Sequence, residues 1–238
     1  MGTGFAGSSS QAEGLAMFQR AEYPCYRAAR PIIIDGRLDD ASWQGAPAVA
    51  LRLADTGGRP RQATTCRVLW DDAYLYVAFD CEDSDIWGLT TERDRDIYNQ
   101  EVVELFVDDD CDDHSYIEIE VSPLNAILDL FMLNRGGVLR GLWDWDSAGL
   151  RTAVVVDGDP NRRGTADRRW TVEMAVPMAD FMTAPHLPPR AGDVWHVNLY
   201  RIDRAEAGDE YSAWSPPGVL SYHTPERFGR LVFSNTAV

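Results

Sequence analysis

The sequence predicts an all-β chain, an antiparallel β-sandwich of jelly-roll type with very little helix. Three observations carry this reading: period-two segments recur from residue 63 to the end, turn residues separate them at short intervals, and helical patterning is confined to two short stretches. ATTCRVLW (63–70), AYLYVAF (73–79), EVVELFV (101–107), SYIEIEV (115–121), AILDLFML (126–133), RTAVVV (151–156), WTVEMAV (170–176) and VWHVNLYRI (194–202) all favour strand, and FGRLVF (228–233) is the last expected one. The links WDDAY, VDDDCDD, NRGG and VDGDPNRRG are rich in Asp, Asn and Gly, which tolerate turn conformations. The two helical hints are DDASW (39–43) and MADFM (178–182), the latter following Pro177. Many short strands with so little helix imply two antiparallel sheets packed face to face.

A length of 238 residues with 45% hydrophobic content suits one core. One domain is expected over 30–238, behind an N-terminal extension at 1–29 that includes the small, polar run GTGFAGSSSQAEG. The first thirty residues hold no apolar stretch long enough for a signal peptide or a membrane span. The formal net charge is -16, and all 22 basic residues are Arg. Phosphate backbones and anionic membranes need clustered cations, so neither nucleic acid nor a membrane surface is an expected partner. The acidic, Lys-free composition fits a saline habitat or a GC-rich genome. Cys25, Cys66, Cys81 and Cys111 form no CxxC pair, and on the expected hairpin Cys66 and Cys81 fall diagonally offset, so free thiols are expected.

The candidate chemistry lies on strands and loops. In SYIEIEV, Tyr116, Glu118 and Glu120 share one face, opposite Ile117, Ile119 and Val121. A spacing of roughly 7 Å between Glu118 and Glu120 falls in the range of about 6.5 to 9.5 Å for an inverting glycosidase pair, while an exposed polar sheet face gives the same pattern. Glu104 shares a face with Val102 and Phe106, so it needs either a pairing arginine or a ligand. In VWHVNLYRI, His196, Asn198 and Tyr200 share a face able to hydrogen-bond hydroxyls, opposite the core-forming Trp195, Val197 and Leu199. Tyr98 and Tyr222 sit in loops, where aromatic rings suit the C–H faces of sugars; Trp143, Trp145 and Trp214 are assigned to covering the ends of the core. The run Asp108–Asp113 supplies oxygen ligands enough for Ca²⁺ but lacks EF-hand spacing, and a solvated acidic loop reads the same way. The sequence has no GxSxG elbow, HExxH helix, P-loop or dinucleotide-binding fingerprint.

Seven segments, in order and spacing, resemble the family 9 carbohydrate-binding modules: PIIIDGRLDDASW, TTCRVLWDDAYLYVAFDCED, NQEVVELFVDDD, SYIEIEVSPLN, RRWTVEMAVP, GDVWHVNLYRID and AWSPPGVLSYHTPERFGRLVF. The resemblance runs from about residue 30 to the end. It implies a non-catalytic β-sandwich with bound calcium that holds terminal sugars of glucan or xylan between two aromatic rings. Those rings fall on Tyr98 and Tyr222, with Glu104 as a sugar-contacting carboxylate and Tyr200 at a hydrogen-bonding position. Glu120 stands where such modules place a sugar-contacting Arg, so ligand identity does not carry over. The implied calcium is expected at Asp108, Asp110 and Asp112 or near IDGRLDD. The implied partner is an oligosaccharide or plant-type polysaccharide, and the implied setting is extracellular or periplasmic. The competing expectation is a glycoside hydrolase using Glu118 and Glu120. A third is a haem-binding domain of the related DOMON-like sandwiches, for which no aligned Met and His pair is evident.

Overall fold

The computed structural model describes residues 19–135 and 138–238. Its strands are β1 (Glu22–Arg27), β2 (Val49–Ala50), β3 (Arg52–Leu53), β4 (Thr64–Trp70), β5 (Tyr74–Glu82), β6 (Val102–Asp108), β7 (Ser115–Val121), β8 (Ile127–Arg135), β9 (Val138–Leu142), β10 (Arg151–Asp157), β11 (Arg169–Pro177), β12 (Val194–Ala205), β13 (Gly208–Ala213) and β14 (Gly229–Ala237). The single α-helix among the described residues, α1, spans Ala41–Gly45. One-turn 3₁₀ segments lie at Ile97–Asn99, Met178–Asp180 and Pro225–Arg227. No described helix is long and apolar enough to cross a membrane.

Hydrogen bonding runs along the order β10-β11-β5-β4-β1-β14-β12-β6-β7-β8-β9, and the two ends of this path fold over each other. Val68, Phe79, Trp170 and Val172 from one half meet Leu105, Ile119, Val197 and Leu199 from the other in one buried cluster. This is the expected sandwich. Each expected strand forms within a few residues of its predicted ends, because strict alternation leaves one register that buries the apolar set. All four cysteines are free, and Cys66 pairs across the ladder with Phe79 rather than with Cys81.

The expected boundary at residue 29 is corrected. β1 lies inside the path, parallel to both β14 and β4, and buries Tyr23 and Cys25. Its sequence, EYPCYR, hides this because Pro24 lacks an N–H for the ladder and argues against a central strand. The run GTGFAGSSSQAEG lies outside the described residues.

Both outer faces of the sandwich are also covered. On one, Ile32, Trp43 and Ala46 pack against Leu69, Tyr76, Ala78 and Ala175. Glu173 of β11 holds this covering segment: its carboxylate accepts the N–H of Asp35 at 2.9 Å, the N–H of Gly36 at 2.8 Å and the indole N–H of Trp43 at 2.8 Å. Gly36 is required there, because its φ is +82° and a Cβ would sit 3.0 Å from the carbonyl carbon of Val154. The PIIIDGRLDDASW segment is thus a strap closed by one buried carboxylate. Replacing Glu173 with Ala leaves three donors without their acceptor, so Glu173→Ala should lower unfolding free energy by about 2 to 4 kcal/mol in denaturant melts.

Candidate functional site

The other outer face carries the candidate site. Alternation on β6, β7, β8 and β12 sends Phe106, Tyr116, Leu128, Leu130, Met132, Tyr200 and Ile202 away from the main core, into a second buried cluster closed by Ile97, Tyr222 and Phe228. Among these apolar side chains stand Glu104, Glu118 and Glu120. The strand pairing sets Glu104 directly opposite Glu120, with Glu118 opposite Phe106 on β6 and Leu130 on β8. These carboxyls form the floor of a cavity of roughly 430 Å³, bordered by Tyr98, Trp143, Arg204, Tyr211, Leu220 and Tyr222. Such a volume lies within the range of about 300 to 1,000 Å³ typical of small-ligand sites. Leu139, Trp143 and Leu220 expose apolar surface beside it.

The outer face of β7 is therefore not a solvated polar surface. Glu104, Glu118 and Glu120 are 3%, 4% and 1% exposed. Burial drives all three carboxyls upward from the ordinary carboxylate range. Glu118 reaches about 7, and the neighbouring charges of Glu104 and Glu118 push Glu120 further. One oxygen from each of the three carboxyls lies within 4.8 Å of the others. The expected separation of about 7 Å is thus corrected: these carboxyl oxygens lie closer together than the roughly 6.5 to 9.5 Å that an inverting glycosidase leaves for its water. His223 Nδ1 lies 3.8 Å from Glu118 Oε2. The contact is not an ion pair, because burial lowers the imidazole to about 4 while Glu118 stands near 7, leaving both neutral in between. That nitrogen instead hydrogen-bonds the Tyr116 hydroxyl at 2.8 Å.

Of the aromatics, Tyr98 is 36% and Trp143 is 49% exposed, and both border the cavity. Arg204 fixes the Tyr98 loop by donating to the Tyr98 carbonyl at 2.6 Å, while its other nitrogen binds the Tyr211 hydroxyl and Asp209. Tyr222 is a buried wall rather than a free platform. It stacks on Tyr200 with centroids 3.9 Å apart, and its hydroxyl donates to the Arg201 carbonyl at 2.8 Å. Tyr200 and Asn198 do not reach the cavity. Tyr200 is fully buried and donates to the Tyr222 carbonyl, while Asn198 binds the Ser215 carbonyl and accepts the N–H groups of Leu199 and Ser215. Trp143 was hidden at the sequence level because a loop tryptophan is most simply read as packing. Trp145 and Trp214 do pack: Trp214 meets Tyr23 edge to face and Trp145 lies on Phe131.

Asp108, Asp110 and Asp112 bring one oxygen each within 4.8 Å, so the donors suit a hard cation. These carboxylates also cap their own loop. Asp108 accepts the N–H groups of Asp112 and Asp113, and Asp112 accepts those of His114 and Ser115. A hydrogen bond to Asp108 is the main influence raising the His196 imidazole, to about 9. Asp110 is pushed up to about 6, first by burial and then by Asp112 and Asp108.

Residues 34–125 match the family model described as carbohydrate family 9 binding domain-like. The endo-1,4-beta-xylanase A of Thermoanaerobacterium saccharolyticum is 34% identical over 204 residues, 85% of this chain and 15% of that enzyme. An extracellular protein of Arthroderma benhamiae is 25% identical over 183 residues, 74% of this chain and 80% of that protein. In structure, the chain superposes on a Bacteroides uniformis protein with a TM-score of 0.74 at 15% identity, covering 91% of this chain and 100% of that one. It superposes on a family 9 carbohydrate-binding module of Caldicellulosiruptor kristjanssonii, solved with cellotriose, with a TM-score of 0.63 at 16% identity, covering 89% and 94%. The fold is a β-sandwich with a cavity on one outer face. More particularly, residues 34–125 carry a family 9 binding-domain-like sequence, on the fold of the family 9 carbohydrate-binding modules. The chain spans most of its fungal relative but only 15% of the Thermoanaerobacterium xylanase it matches.

The buried carboxyls make one stability prediction. A carboxyl raised in the fold from 4.5 to about 7 binds its proton more tightly when folded, so its contribution is intact below about 4.5 and is lost as pH rises through 7. In the presence of chelator, Glu118→Gln should therefore melt at a higher temperature than the unsubstituted protein at pH 8. The difference should shrink as pH falls toward 4.5. A difference in melting temperature that does not change over this range would place the carboxyl in an environment unlike the one described.

Proposed function

We propose that this chain binds carbohydrate without transforming it, in the cavity between Tyr98 and Trp143. The observation that carries the reading is the pairing of two exposed rings, on separate elements, with a floor of carboxyls between apolar side chains. Rings of this kind stack on the C–H faces of a sugar, and carboxyls accept or donate hydrogen bonds to its hydroxyls according to their protonation. Trp143 here replaces Tyr222 as the partner of Tyr98, since Tyr222 is already stacked and hydrogen-bonded inside the protein. The sugar class proposed is an oligosaccharide or chain end of glucan or xylan. The support is the cellotriose- and glucose-bound family 9 module and the xylanase relatives. A setting outside the cytoplasm is proposed from the extracellular fungal relative.

Calorimetry with cello- and xylo-oligosaccharides tests the reading. Tyr98→Ala and Trp143→Ala should each weaken binding by about 1 to 3 kcal/mol with melting temperature unchanged, the scale of truncating an anchoring ring. Tyr222→Ala should instead destabilise the fold by about 3 to 5 kcal/mol, as for a buried aromatic. Unchanged affinity in both Tyr98→Ala and Trp143→Ala would move the site elsewhere. Incubation with the same polymers should release no new reducing ends.

For calcium, Asp108, Asp110 and Asp112 are proposed as ligands that tighten a loop already capped by its own backbone. Excess calcium should then raise the melting temperature over excess chelator at fixed ionic strength, and Asp110→Asn with Asp112→Asn should abolish the part of the shift due to this loop.

A further inference from the structure

We propose that Glu104, Glu118 and Glu120 form a second divalent-cation site, distinct from the aspartate loop and open to the cavity. Three things point to it. One oxygen from each carboxyl lies within 4.8 Å of the others, a span that one ion can bridge at the Ca–O distances of about 2.3 to 2.6 Å. Glu118 Oε2 and Glu120 Oε2 are buried without a hydrogen-bond partner among the described residues, on side chains 4% and 1% exposed that line the cavity. No arginine nitrogen among the described residues lies within 4.0 Å of these carboxyls: Arg204 spends its charge on Asp209, the Tyr211 hydroxyl and the Tyr98 carbonyl.

The contrast with the rest of the molecule sharpens the case. Glu173 is buried too, but it is met by three N–H donors, and buried Asp83 is met by Arg201 at 2.8 Å. Among the described residues no arginine is paired with the three glutamates, which leaves their charge to protons or a metal ion. Their all-carboxylate donor set is hard and favours Ca²⁺, whose coordination tolerates irregular geometry, over Mg²⁺ with its strict octahedron. A bound ion would face the cavity on its open side, where ligand hydroxyls could complete its shell. The titratable groups near it include Tyr98, Tyr211, Tyr222, Asp96, His223 and Arg204, of which Arg204 is the cation at neutral pH.

The test measures calcium itself by calorimetry at pH 8, with no sugar present, so it is independent of the carbohydrate reading. The unsubstituted protein is compared with Glu118→Gln/Glu120→Gln, with Glu104→Gln and with Asp110→Asn/Asp112→Asn. Gln keeps the shape and removes the mutual repulsion, so the glutamate variants should fold, which melting in chelator verifies. Loss of one calcium equivalent, or its weakening by tenfold or more, in both glutamate variants with that equivalent retained in the aspartate variant is the expected result. The proposal is overturned if the unsubstituted protein takes up no calcium, if either glutamate variant stays within tenfold of it, or if the same equivalent disappears in the aspartate variant. Oligosaccharide calorimetry on the same samples reports separately on the sugar site.

Discussion

The pairing of β6 with β7 sets Glu104 directly across from Glu120 and leaves Glu118 two residues along the same face. Like charges in such positions repel, and here the repulsion acts where water is excluded, because the loops at Ile97–Asn99 and 220–228 roof the face. The acid floor of the cavity and its displaced titration follow from that one arrangement, while burial by itself lowers the His223 imidazole. Moving β7 by one residue would turn Glu118 and Glu120 into the main core, which the alternation of Ile117, Ile119 and Val121 forbids. The register that builds the hydrophobic core is therefore the same one that concentrates the acid groups.

Elsewhere the molecule treats buried charge differently. Arg201 lies in the interior with Asp83, Glu101 and Asp203 around it, and donates also to Thr64 and the Glu82 carbonyl. Asp129 has Arg93 at 2.6 Å and the N–H of Ser147 at the same distance. Each of these groups ties distant segments together, as Glu173 does for the N-terminal strap. Among the described residues the three glutamates meet no arginine and bridge no distant segments in this way.

Packing also decides which aromatic rings are available. Tyr200, Tyr222, Phe106, Tyr116 and Phe228 stack among themselves beneath the cavity. They form a rigid bed, and the rings left with a free face, Tyr98 and Trp143, come from the 3₁₀ turn before β6 and the segment after β9. Arg204 couples the Tyr98 turn to β12, so the rim is fastened to the same strand that pairs with β6.

By itself the sequence determined the sandwich, most strand positions, the free cysteines, and the face shared by Tyr116, Glu118 and Glu120. These rest on period-two alternation and local turn chemistry, which act over a few residues. Tertiary structure decided the rest. β1 escaped notice because its parallel partners lie about 40 and 200 residues away, and its Pro24 argues locally against a central strand. Asn198, Tyr200 and Tyr222 share the polar or loop character of ligand-binding residues, yet burial turned their hydrogen bonds inward. Trp143 reached the cavity only because β9 pairs onto β8 at the far end of the path. Whether a side chain meets solvent, a ligand or another side chain depends on which segments cover it, and that covering is a long-range property that no local pattern encodes.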